Sequence, residues 1–375
     1  MAILLALTLA GCGGEDPAAP GQAETVRIGF LAAGDRVTYV DAAGIAVAEA
    51  NERGGVLGMP VELVSRIGIE EASVSVETAE RMIAEDGVAA LVGPNRSSHA
   101  IAVAELAQRR GLPMVTTSAT NPEVTKAGDF VFMAAFTDVF QGQVMAQFAR
   151  EELGLARVAV LTRRGEVYTE GISGFFRSVF TASGGEVAAD EFYDSDETDF
   201  AGPLGRIAEA RPEALFISGF AGEIALVTRQ ARALPLQNAA GEPALFLGAD
   251  SWDNPNLLGD ETAELEGSYF TTHFSPDTDE PGARRFIDKY RSLYDAAPSG
   301  GDAVSYDAAR LLLEAIERAG SLEPGAVRDQ LAATGNYAGA TRIAGYDENR
   351  HPAKSVVIMT IRDGVGQFHR QIDPG

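Results

Sequence analysis

Residues 88–122 read VAALVGPNRSSHAIAVAELAQRRGLPMVTTSATNP, and this stretch decides the fold. Val88 to Val92 is a short apolar run of strand type, and Gly93-Pro94 ends it. His99 to Arg110 carries apolar residues at helical spacing and stops at Gly111. Pro113 to Thr116 is a second strand. Short strands that alternate with longer helical stretches predict a doubly wound α/β sheet.

The same alternation extends outward in both directions. Val26 to Leu31 reads as a strand, Asp41 to Arg53 as a helix stopped by Gly54-Gly55, and Val61 to Ile67 as a strand. Ala72 to Glu85 is helical, and Phe130 to Ala135 is a fifth strand. The alternation then restarts. Gln141 to Leu153 and Gly171 to Thr181 are helices around a strand at Val158 to Leu161. Glu186 to Phe192, Ala214 to Ile217 and Leu245 to Leu247 are strands with helices between them. After Gly267 come a strand, helices near 281–295, 302–319 and 324–333, and strands at 354–362 and 366–371 joined by Asp363-Gly364, a hairpin dipeptide. Two such series followed by a helix-rich section predict two lobes between which the chain crosses more than once. The expected division is 25–137 plus 268–345 for the first lobe, and 138–267 plus 346–375 for the second.

Composition narrows the function. The 375 residues are 46% hydrophobic and 22% charged, a globular balance with length for two cores. Asp and Glu number 54 against 30 Lys and Arg, for a formal charge of −24. Such a surface is repelled by phosphate backbones and anionic lipid, which argues against nucleic acid as a partner. One cysteine and four histidines offer no disulfide framework and little material for a zinc site.

The cysteine is informative by its place. Ala2 to Ala10 is a short apolar run that leads into Leu9-Ala10-Gly11-Cys12. An apolar segment ending in small residues is the pattern of a secretion signal. The tetrad resembles the bacterial lipobox, whose cysteine is lipidated, although no Lys or Arg precedes the run. Residues 1–11 are expected to be a signal peptide and 12–24 a flexible tether rich in Gly, Ala and Pro.

Several motif-like fragments fail on context. Gly54-Gly55-Val56-Leu57-Gly58 follows a helix and does not open one, so it is no phosphate cradle. In Asp194 to Gly205 the sixth position is Asp199 where a calcium loop needs Gly, and the twelfth is Gly205 where it needs Glu. Ser97-Ser98-His99 sets a His beside two serines, but neighbours on a helix point apart and no orienting acid can be named.

The polar residues that follow strand ends remain. In open α/β sheets ligands bind there, because the loops meet helix N-termini carrying partial positive charge. Ser97, Ser98, Ser118 and Thr120 would seat a small carboxylate, or serve only as caps and turns. On the second lobe Tyr168, Phe220, Asp250 and Trp252 lie beyond successive strands. An acid among aromatic rings suits an ammonium.

In order and spacing the chain resembles the periplasmic solute-binding proteins of the branched-chain amino acid type, from about Val26 to the C-terminus. The resemblance rests on Asn51 to Gly58, Val92-Gly93-Pro94 with Ser97-Ser98, and Pro113 to Thr116 with Ser118 to Pro122. It continues through Asp138 with Gln141-Gly142, Tyr168 to Gly171, Tyr306 to Leu311 and Tyr346 to Asn349. It implies the type 1 periplasmic binding fold, two lobes that close on a small solute, and delivery to an ABC permease. It also implies no chemical step and no cofactor, a lipid-anchored extracytoplasmic location through Cys12, and a monomer. Ser97, Ser118 and Thr120 match the carboxylate-holding positions, Asp250 the ammonium partner (often Glu), and Tyr168 and Phe220 the closing aromatics. Arg96 departs from the pattern; it binds a second anionic group or is solvated. An α-amino acid is the expected ligand, with urea, short amides and aromatic acids taken by other relatives. A ligand sensor feeding a membrane receptor is the rival from another class; a secreted hydrolase lacks a triad.

Overall fold

The structure, a computed structural model, describes residues 24–254, 257 and 263–374. The expected signal segment, Cys12 and the expected tether up to residue 23 lie outside the described residues.

The first half of the chain gives β1 (Val26–Ala33), α1 (Val37–Glu52), β2 (Val61–Ile69), α2 (Ala72–Arg81), β3 (Ala90–Val92), α3 (Ser97–Arg110), β4 (Met114–Thr116) and β5 (Val131–Met133). These strands form one parallel sheet in the order β2-β1-β3-β4-β5. There follow α4 (Asp138–Gln147), β6 (Arg157–Arg163), α5 (Val167–Ala182), β7 (Glu186–Tyr193), α6 (Ala201–Ala210), β8 (Ala214–Ser218), α7 (Ala221–Ala233), β9 (Leu245–Gly248) and β10 (Tyr269–Thr272). The chain continues with α8 (Pro281–Tyr294), α9 (Gly300–Ala319), α10 (Pro324–Ala332), the hairpin β11 (Gly335–Ala338) and β12 (Arg342–Gly345), then β13 (Val356–Arg362) and β14 (Val365–Ile372). The second sheet runs β14-β13-β10-β9-β8-β6-β7. Its parallel part, β7-β6-β8-β9-β10, repeats the strand order of the first sheet.

Each sheet is covered on both faces, as a parallel sheet requires. On the first, α1, α8 and α9 bury one face through Ile45, Phe286 and Leu312, while α2 and α3 close the other through Ala79 and Val103. On the second, α4 and α5 contribute Val144 and Phe176, and the opposite face receives Leu204 and Val227 of α6 and α7. The hairpin at Asp363-Gly364 is present, with both residues at positive φ (54° and 75°), which a tight type I′ turn requires.

One lobe boundary moves. The strand after Gly267, expected to open the return to the first lobe, is β10, and it pairs parallel with β9 and antiparallel with β13 in the second sheet. Packing explains this. Phe270 lies against Trp252 in the second-lobe core, and Tyr269 meets Phe148 edge-on. The return crossing therefore falls after Thr272.

The crossings are tied to one another. Asp307 of α9 accepts hydrogen bonds from Tyr337 Oη, Ala340 N and Thr341 N, each at 2.8 Å. Buried Lys354 donates to Ala134 O at 2.8 Å and Thr341 Oγ1 at 2.7 Å, linking the first crossing to the last. Burial lowers the Lys354 ammonium to about 8, with Asp307 opposing that shift.

Candidate ligand-binding site

The strand ends of the two sheets face each other across a cleft. Asn95 organises the first-lobe side. It is buried in the loop after β3, where its Oδ1 accepts from Ala33 N at 2.7 Å and its Nδ2 donates to Ala33 O at 3.3 Å. The end of β1 is thereby clamped to the head of α3, and Arg96 and Ser97 are presented side by side. A Cβ on Gly93 would overlap Leu31 O, so the approach of this loop to β1 requires glycine there. Ser97 Oγ accepts from Asn121 N at 3.2 Å, which leaves its own O–H free to donate to a ligand. Ser118 also lines the cleft.

Tyr168 and Asp250 are central on the second-lobe side. Tyr168 Oη donates to Asp250 Oδ1 at 2.8 Å and accepts from Ser251 N at 3.3 Å. Gln141 Oε1 accepts from Asp250 N at 2.8 Å and from Thr271 Oγ1 at 2.7 Å, fixing the backbone under the carboxylate. Burial raises the Tyr168 phenol well above its ordinary value, and the Asp250 charge adds to this, so the tyrosine stays a donor. His273 Nε2 lies 3.4 Å from Asp250 Oδ2. Burial lowers the His273 pKa from an ordinary value already below neutrality, so near pH 7 the ring is neutral and does not cancel the carboxylate charge. Below Asp250, buried Asp138 is raised well above the carboxylate range, first by burial and then by Asp250 itself. Asp250, unlike Asp138, lines the cleft.

The cavity in the cleft has a volume of ≈ 60 Å³. A larger hollow of ≈ 300 Å³, between Gly282 and Lys354, shares only His273 with the cleft and touches neither set of strand ends described above.

Of the residues singled out from sequence, Arg96, Ser97, Ser118, Tyr168, Phe220 and Asp250 line the cleft together. Three do not. Trp252 is fully buried in the second-lobe core, its indole donating to Ile217 O at 3.2 Å. Its nearness to Asp250 in sequence misleads, because the intervening turn sends the two side chains to opposite sides. Ser98 Oγ instead reaches Glu166 Oε2 across the cleft at 3.2 Å, on the turn before α5. Thr120 is buried at the first crossing, where its carbonyl accepts from Asp138 N at 2.8 Å. His99, next to the serines in sequence, turns away to Ser75 Oγ at 2.8 Å.

Arg36, Tyr39, Asp253 and His273 also line the cleft, and sequence reasoning missed them. The strand-end rule applied to β1 would have found Arg36 and Tyr39. His273 comes from a crossing, and Asp253 from a turn, that the sequence did not mark as facing the cleft. Tyr39 fits only because position 301 is glycine; a Cβ there would overlap its ring hydroxyl.

The lobes already touch. Besides Ser98 and Glu166, Asn121 Nδ2 donates to Val167 O at 3.0 Å, so α3 and the loop after β4 meet the head of α5 over the cleft.

Comparison with known proteins agrees with this architecture. A leucine-binding protein from Thermotoga maritima superposes with a TM-score of 0.86 at 35% identity, over 93% of this chain and 99% of that one. A branched-chain amino acid transporter substrate-binding protein from Streptococcus pneumoniae, solved with isoleucine, gives 0.85 at 28% identity over 94% and 100%. The leucine-, isoleucine-, valine-, threonine- and alanine-binding protein of Pseudomonas aeruginosa is 28% identical over 306 residues, 81% of this chain and 79% of that protein. The fold is the type 1 periplasmic binding fold that the sequence led us to expect. The family model described as periplasmic binding protein matches residues 31–365, and the chain belongs to that family.

Proposed function

We propose that this chain is the extracytoplasmic solute-binding component of an ABC importer, and that its solute is a small α-amino acid. The observation that carries this reading is the pairing of opposites across the cleft. Ser97 on the first lobe offers a free O–H at the head of α3, where the helix dipole favours a carboxylate. Asp250 on the second lobe offers a carboxylate oriented by Tyr168 and Gln141. A zwitterion joins the two lobes, whereas a plain carboxylate or amine satisfies only one.

Binding involves no chemical step. The ligand docks on one lobe, the other closes, and Asn121 and Ser98 engage the head of α5. Hinge closure is an established mode of periplasmic binding proteins, and the closed form is the one a permease recognises. The reading includes a lipid anchor at Cys12, a place in the periplasm or on the outer face of the membrane, and a monomer. The test is calorimetric titration of the chain, freed of bound solute by unfolding and refolding, with L-amino acids, urea, acetamide and benzoate. Saturable binding of an amino acid supports the reading. Binding confined to urea, acetamide or benzoate removes Asp250 as an ammonium partner.

A further inference from the structure

With the α-carboxylate and α-ammonium assigned, two strong cations on the wall have no role. Arg36 stands after β1 at the head of α1, and Arg96 after β3 at the head of α3. Both line the cleft. Both Nε–H groups are buried, and among the described residues neither finds an acceptor.

Carboxylates act on both through space, Glu70 and Glu166 on Arg96 and Asp302 on Arg36, but among the described residues none accepts a hydrogen bond from either guanidinium. The carboxylate paired with Arg96 is Glu70, 4.0 Å away, and its side chain is 71% exposed, a contact that solvent screens. Among the described residues Arg36 makes no ion pair. Asp302, whose charge acts on it through space, is engaged at Oδ2 by Ser299 N and Oγ at 2.8 Å, while its Oδ1 is buried without a partner and does not bond Arg36. A third guanidinium offers an internal comparison. Arg96 and Arg163 lie over the Phe220 ring at 4.8 and 5.0 Å. Arg163 Nε also lacks a hydrogen-bond acceptor, but it lies 3.0 Å from Glu223 Oε1, whereas the carboxylate paired with Arg96, which lines the cleft, stands 4.0 Å away.

The wall is also wrong for an aliphatic side chain. Among the described residues that line it, none is Leu, Ile, Val or Met, and the only aliphatic one is Ala221. An isobutyl group here would bury guanidinium N–H groups without compensation, and each such orphan is unfavourable. Asp253, the other acid on the wall, is held by Gly300 N at 2.7 Å and Thr272 Oγ1 at 2.5 Å.

We infer that Arg36 and Arg96 form an anion subsite at the side-chain end of the cleft, and that the ligand is an α-amino acid with an acidic side chain, of the aspartate or glutamate type. The inference rests on the amino-acid reading of the site and names the class of amino acid. Guanidinium groups bind a carboxylate through paired N–H donors, and a bound acid would supply the missing acceptors.

The test is calorimetric titration of the full chain, freed of solute, with L-glutamate, L-aspartate, L-glutamine, L-leucine and glutarate. One of the two acidic amino acids is expected to bind at least about tenfold more tightly than glutamine and leucine. Arg36→Gln and Arg96→Gln are each expected to weaken that acid at least about tenfold while moving glutamine less than about threefold, a split that general damage to the fold would not produce. Leucine or glutamine binding as tightly as both acids overturns the subsite and leaves the amino-acid reading standing. So does an acid preference that survives the double variant. Glutarate binding with no amino acid binding keeps the subsite and removes the zwitterion reading. No heat from any of the five overturns both.

Discussion

Tyr168 Oη donates to Asp250 Oδ1 at 2.8 Å, joining the first turn of α5 to the loop after β9. Two loops 82 residues apart in sequence are thereby fixed as one surface, and the carboxylate is aimed into the cleft. Phe220, 5.9 Å from Tyr168 by ring centroids, extends the same wall.

Because that carboxylate is the counter-charge for a buried ammonium, Asp250→Ala removes one partner of an ion pair inside a closed site. The expected cost is about 3–5 kcal/mol, at least about a hundredfold in amino-acid affinity. Titration calorimetry on the purified variant reads this directly. A loss below about fivefold would exclude the role given to Asp250.

Tyr168→Phe leaves the ring and removes the hydrogen bond to a charged acceptor, worth about 1.5–3 kcal/mol. Amino-acid affinity should fall by about ten- to a hundredfold, with the thermal midpoint of the free protein little changed. An unchanged affinity would show that Gln141 alone orients Asp250.

Asn121→Ala removes the donor to Val167 O that spans the closed cleft. One neutral hydrogen bond is worth about 0.5–1.5 kcal/mol, so affinity should fall about two- to tenfold through a less favourable closure. Small-angle scattering should show the saturated variant reaching the same compact form as the wild type. Failure to compact at saturation would mean that Asn121 does more than latch the lobes.

Burial raises the Asp253 carboxyl to about 6, against an ordinary value of 3.8. The folded protein holds this proton up to about pH 6, while the unfolded chain releases it near pH 4. The associated stability is therefore fully present below pH 4 and is lost as the pH rises through 6, by about 3 kcal/mol in total. In urea unfolding at pH 4, 5, 6 and 7, the wild type should lose stability relative to Asp253→Asn across that window. Parallel pH profiles would refute the assignment.

Trp252 is the only tryptophan and is fully buried behind the wall that carries Asp250. Its emission should be blue-shifted and resistant to iodide both with and without ligand. A ligand-dependent change in quenching would place the ring nearer the cleft than the indole hydrogen bond to Ile217 allows.

Much of this protein was legible in its sequence, because the determining signals are local. Apolar periodicity set strand against helix from Val26 to Ile217, and Asp363-Gly364 marked its hairpin. The strand-end rule picked out Ser97, Ser118, Tyr168, Phe220 and Asp250, since in a parallel sheet the C-terminal end of each strand points to the same edge. Spacing along the chain could not say which way a side chain turns after leaving that edge. Trp252 follows Asp250 by two residues yet enters the core, and Ser98 follows Ser97 yet reaches the opposite lobe. The sheet that β10 joins was likewise hidden, because Phe270 chooses its partner by packing against Trp252, 18 residues upstream. Only the tertiary structure decided which further residues line the cleft. Arg36, Arg96 and His273 come from three separate segments, and their side chains meet only when both sheets and the crossings between them are in place.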